Sequence, residues 1–110
     1  MDPLMHSKSS VKKYGGTVDD YLPIHHWFDD SKRGYAFVTH RAMRHHTLGI
    51  GWCIDTFGKY LTLSNGKQIP VRYIAEQHVK EDCGFIPTMQ DWLQHMAPPD
   101  WMRKVGKINT

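Results

Sequence analysis

Cysteine is scarce: Cys53 and Cys83 are the two thiols in 110 residues, and they form no CxxC pair. A disulfide scaffold and a paired-cysteine zinc module are thereby excluded, and a reducing, cytoplasmic compartment is expected. No stretch approaches the ~18 consecutive apolar residues of a membrane span, and the N-terminus lacks the hydrophobic region of a signal peptide. No membrane partner is expected. Surplus charge is also small, at +3 with a pI near 8.9. The basic residues are scattered (Lys8, Lys12, Lys13, then Lys32 and Arg33, then Arg41 and Arg44) rather than gathered as nucleic-acid binding requires. Nucleic acid is therefore not the expected partner. Walker loops, GxSxG elbows and HExxH helices are all missing.

What is present is an ordinary composition for one small domain over 1–110: 40% hydrophobic, 12% aromatic and 23% charged residues. Eight histidines stand out against it. The pattern predicts a mainly α fold, about five helices around a single core, with one short β-hairpin at about 60–69. A first helix runs from about Leu4 to Tyr14 and stops at Gly15-Gly16. A second starts at the N-cap Thr17, with Asp19 and Asp20 favouring its positive end. Ser31-Lys32-Arg33-Gly34 breaks it. The longest helical pattern extends from Tyr35 to Phe57, with Gly49 and Gly51 marking a kink. Asn65-Gly66 between β-prone runs is a hairpin turn. Pro70 opens a helix to about Asp82, closed by Gly84, and Thr88 with Asp91 caps a last one reaching Met96. Residues 97–110 read as a partly mobile tail. Trp27, Trp52, Trp92 and Trp101 are assigned to core packing, and Cys53, on an apolar face, to the same.

Helical phase, at 100° per residue, sorts the histidines. His25 lies on the apolar side of the second helix with Asp29 at i+4. His78 completes the Val71, Ile74, Ala75, Val79 stripe, and Asp82 again follows at i+4. On the long helix His46 is close to the centre of the apolar face and His45 at its edge. His40 and Glu76 fall on outer faces, the latter paired with Lys80. Imidazole nitrogen ligates zinc, iron and manganese, and a carboxylate one turn away serves as a further ligand or as an orienting partner. The competing reading makes each inward histidine a hydrogen-bonded core residue whose Asp satisfies its second nitrogen. Against it stands the cost of burying several unrelated imidazoles in so small a core.

The segments SSVKKYGGTVDDYLPIHHWFDDSK, HRAMRHH, FGKYLTLSNGKQIPVRYIAEQHVKED and GFIPTMQDWL resemble a family of small uncharacterised His-rich bacterial and bacteriophage proteins with no established activity. The likeness runs from about His6 to Met102. It implies a shared fold, and a pattern on Asp29, Ser31, Lys32, His40, Arg41, His45, Glu76, Gln77, His78 and Asp82. With His40 and Glu76 included, the site becomes an open cleft between helices.

These readings converge on a His/Asp-rich protein that binds a divalent metal (zinc, manganese or iron) through Asp29, His40, His45, His46, His78 and Asp82. A metal-dependent hydrolase of a phosphoester or nucleotide-like ligand is the expected enzyme class. Lys32, Arg41 and Arg44 would contact the small anionic ligand, and Asp82, Glu76 and Lys32 would carry the catalytic roles. The alternative is a non-enzymatic binding or regulatory protein acting on a host protein, its histidines structural.

Overall fold

The computed structural model describes residues 1–33 and 40–105. Helix α1 (Pro3–Tyr14) begins where Asp2 accepts the Met5 N–H at 2.8 Å, with proline at its first position, and ends at Gly15 with φ of 86°. Helix α2 (Val18–Asp29) starts at Thr17, whose N–H donates to Asp20 Oδ2 at 2.8 Å. A 3₁₀ turn, Asp30–Arg33, follows. Strands β1 (Tyr60–Thr62) and β2 (Gln68–Pro70) pair antiparallel with Leu61 opposite Ile69. Asp20 reaches across to this hairpin, accepting the Ser64 N–H at 3.0 Å and its hydroxyl at 2.9 Å. One carboxylate thus both caps α2 and ties the hairpin to it. Helix α5 (Val71–Cys83) then runs through the centre and closes at Gly84, φ 84°.

The expected Tyr35–Phe57 helix is a point of correction. Residues 34–39 lie outside the described residues, and the rest is two helices, α3 (Arg41–Arg44) and α4 (Thr47–Phe57). The break falls at His45-His46, upstream of the glycines. His46 is fully extended (φ −163°, ψ 177°) and caps α4 by accepting the Gly49 N–H at 3.0 Å. The path is fixed from outside: the Thr47 N–H donates to Pro87 O at 2.9 Å and Trp92 Nε1 to His45 O at 2.9 Å. Gly49 permits the doubling back, because a Cβ there would lie 1.7 Å from the Arg44 carbonyl oxygen. What looked like a kink-forming glycine is a close-approach glycine.

Short helices α6 (Met89–Leu93) and α7 (Asp100–Val105) complete the described chain, giving seven helices among the described residues where five were expected. Thr88 and Asp91 form the anticipated reciprocal cap of α6, which ends earlier than Met96. Residues 100–105 of the expected tail are helical, and 106–110 lie outside the described residues. Tyr21, Ile24 and Phe28 of α2, Ile50 and Cys53 of α4, Leu63, Ile69, and Val71, Ile74, Ala75 and Val79 of α5 make the apolar core. Burial pushes the Cys53 thiol up to about 12, as befits a small apolar core residue. Trp52 and Trp101 are exposed at 43% and 65%, so neither packs in the core as expected. No described helix is long and apolar enough to cross a membrane.

Candidate metal centre

Beside the apolar core lies a second, polar one. His6, Ser7 and Ser10 of α1, His25 and Asp29 of α2, His45, and Gln77 and His78 of α5 are all buried. Phe28 is the boundary: its ring stacks on His78 with centroids 4.7 Å apart. Spacing explains the convergence. His78 and Asp82 sit one turn apart on α5, Asp29 ends α2, and the α3–α4 turn delivers His45.

Four of these side chains point donor atoms at one place. His78 Nε2 and His45 Nε2 are 3.2 Å apart. Asp82 Oδ2 lies 3.2 Å from the former and 2.9 Å from the latter. Asp29 Oδ1 lies 3.5 Å and 3.8 Å from the same two nitrogens. All four donors fall within 4.8 Å of one another. A tetrahedral ion bound at 2.0–2.2 Å spaces its donors about 3.3–3.6 Å apart, and the observed separations bracket that range. Two neutral nitrogens and two carboxylates would balance a divalent charge.

A second triple, His6, His25 and His78, has nitrogens equally close together, but its rings are stacked. His6 lies over His78 at 3.8 Å between centroids with 25° between planes, and His25 is within 18° of His6. Imidazole lone pairs lie in the ring plane, so stacked rings do not converge on one ion. The four-donor group is the candidate centre; the triple supports it.

The electrostatics separate the roles. Burial alone would raise the Asp82 carboxyl, but hydrogen bonds to His45, His6 and His78 hold it far below the usual carboxylate range. It is a permanent anion, suited to ligation and unsuited to the proton shuttling expected of it. Asp29 is likewise lowered: burial opposes its ionisation, and His78, then Lys32, outweigh burial. Both Asp29 oxygens are nevertheless buried with no hydrogen-bond partner among the described residues. Burial keeps His25 neutral, at about 2, reinforced by His78 and His6, and lowers His45. His6 goes the other way. Burial disfavours its charge, but it bridges Glu81 Oε1 at 2.8 Å and Asp82 Oδ1 at 3.1 Å, and the two acids raise it. His6 thus links Glu81 to Asp82 and steadies the Asp82 carboxylate from behind, a role missed in the sequence.

The remaining expected residues divide. Arg41 stands against Asp82, donating Nη1 to its carbonyl at 3.1 Å with Nη2 3.7 Å from Oδ1. Lys32 is half exposed, 3.9 Å from Asp29 Oδ2; its neighbour Ser31 donates to His40 O at 3.0 Å. His40 is buried, against the outer-face expectation, with its ring edge-on to His45 at 5.7 Å. It is a neighbour of the donor group and not a member. Three other expected residues stand apart from the donor group. His46 is spent on capping α4, its Nε2 donating to Met43 O at 3.2 Å. Arg44 lies over the Trp27 ring, 4.1 Å from its centroid, and donates to the Trp27 carbonyl, so it is not free to bind an anion. Glu76 lines a separate cleft with Lys13, Tyr14 and Tyr73 on the far side of α5, so neither a catalytic role nor the open cleft follows from it.

Searches of curated proteins and of solved structures find no match to the chain. Residues 1–102 match the family described as "Domain of unknown function (DUF6915)", which spans every donor of the centre. The chain belongs to that uncharacterised family.

Proposed function

We propose that the protein binds one divalent transition-metal ion through Asp29, His45, His78 and Asp82. The carrying observation is Asp29: a buried carboxylate with neither oxygen hydrogen-bonded among the described residues, aimed at two imidazole nitrogens. Its cationic and imidazole neighbours stand off at 3.5–3.9 Å, and a cation at the centre of the four donors would close that gap. The donor set, imidazole with carboxylate, suits zinc, manganese and iron. His6 and Arg41, holding Asp82, supply the outer support that ligating carboxylates ordinarily have.

A hydrolase would need a coordination position left for water and a cation free to grip the anion. Four protein donors fill a tetrahedral zinc, and Arg41 and Lys32 both already face a ligand carboxylate. The geometry therefore favours metal binding over phosphoester hydrolysis. Metal analysis of untagged protein purified without chelator is the test. About one equivalent of a single transition metal, retained by wild type and lost in His78→Ala, is expected. Metal-free protein that gains no thermal stability from zinc, manganese or iron overturns the proposal.

A further inference from the structure

His78 is held from both sides. Its Nε2 faces the donor group, and its Nδ1 lies 2.9 Å from Nδ1 of His25. Two ring nitrogens that close share one proton, and its owner decides which nitrogen of His78 is left to ligate. The groups behind His25 make that choice, since ring protons are assigned from their partners.

Gln77 comes first. Its amide nitrogen donates to His6 O at 3.1 Å and to Glu81 Oε1 at 2.9 Å. A flipped amide would set oxygen against both acceptors, so Oε1 is the atom facing Ser10 Oγ at 2.8 Å. Those two oxygens need a proton between them, and the Ser10 hydroxyl supplies it. With its hydrogen committed there, Ser10 Oγ is an acceptor toward His25 Nε2, 2.8 Å away. His25 is fully buried and its two ring nitrogens meet a hydroxyl and an imidazole, with no carboxylate at either, so one proton, on Nε2, satisfies it. Its Nδ1 is bare and accepts from His78 Nδ1.

We infer that Gln77 and Ser10 are positioning residues for the metal centre: acting through His25, they fix a proton on His78 Nδ1, so Nε2 is the ligating nitrogen and any proton that Asp82 Oδ2 at 3.2 Å and Asp29 Oδ1 at 3.5 Å draw onto it is the one a cation displaces. The inference rests on the metal-binding reading for its purpose but not for its geometry. A divalent cation meets a ring already oriented, its Nδ1 closed by a chain of hydrogen bonds spanning α1, α2 and α5. Without that chain, His78 Nδ1 is free to lose its proton and compete with Nε2 for the ion.

The test is ¹⁵N-histidine labelling of the full chain, with long-range ¹H–¹⁵N spectra recorded at about pH 8 before and after adding zinc chloride. Expected are protonated Nε2 on His25, protonated Nδ1 on His78, and a zinc-induced shift at His78 Nε2. Ser10→Ala should weaken zinc binding about 10–100-fold and mix the His25 tautomers. A His78 proton on Nε2 with bare Nδ1, or zinc bound at Nδ1, overturns the inference. So does a folded Ser10→Ala protein with unchanged zinc affinity and unchanged tautomers. Should that variant fail to fold, the wild-type spectra decide alone. Wild type that binds no metal sinks the proposed function, while its zinc-free spectra still judge the tautomer.

Discussion

Replacing Asp29 by asparagine separates a metal ligand from a structural anion. The change keeps shape and removes charge. In metal-free protein it gives up only long contacts: neither oxygen has a hydrogen bond among the described residues, His78 Nε2 stands 3.5 Å away, and Lys32 is half exposed at 3.9 Å. An ion pair of that exposure contributes about 0–1 kcal/mol, so metal-free stability should move by no more than about 1 kcal/mol. Metal-bound protein behaves differently. At free zinc a hundredfold above its dissociation constant, wild type gains about 2.7 kcal/mol. For a chain of this length that raises Tm by about 11–22 °C. Losing one charged donor should weaken binding at least about 100-fold, exceeding the effect of losing an outer partner. The same zinc concentration then stabilises Asp29→Asn by about 0.4 kcal/mol, a shift of about 2–3 °C. Differential scanning fluorimetry with and without zinc reads both quantities. A variant several kcal/mol less stable without metal, yet with an undiminished zinc shift, would refute the reasoning.

Neighbouring histidines should part company. His46→Ala should lower stability by about 1–3 kcal/mol through the lost α4 cap and the space it leaves, with zinc affinity unchanged by calorimetry, whereas His45→Ala should abolish zinc binding. Asp20→Ala should cost about 1–2 kcal/mol in urea denaturation, because it unties the cap of α2 and the hairpin together, and should leave the metal centre intact. The pH dependence of metal-free stability has two limbs. His25 is lowered to about 2, so below pH 6.5 the unfolded chain takes up a proton that the fold refuses, costing up to about 1.4 kcal/mol per pH unit. His6 is raised, so its contribution is complete below 6.5 and is lost as pH climbs through its folded value. Stability should therefore peak near neutral pH, and urea titrations of His25→Gln should show a flattened acid limb.

Much of this was legible in the sequence, and particular residues show why. Gly15, Gly58 and Gly84 end helices with positive φ, and Thr17, Thr88 and Asn65-Gly66 mark starts and the turn. These are local signals with local causes. Asp29, His78 and Asp82 were legible because each follows an apolar stripe whose phase survives folding. His45 and His46 share one apolar face of a continuous helix, but tertiary hydrogen bonds to Pro87 and from Trp92 break the helix between them and send the two rings to different tasks. His6 was invisible to the same reasoning. The buried side of α1 is His6, Ser7 and Ser10, and a search for apolar stripes passes over a face that buries hydroxyls. A histidine with a serine four residues on, matched by a Gln-x-x-x-Glu at Gln77 and Glu81, is the signal that would have exposed it.

That polar face has a consequence for how α1 attaches. Oily surfaces tolerate sliding, since one methyl replaces another. Serine, glutamine and imidazole do not, because each contact demands a particular partner at a particular angle. Shifting α1 by one residue along α5 would break every one of these bonds at once. The helix is keyed like a tooth in a lock, and the key is cut by the groups that steady the imidazoles.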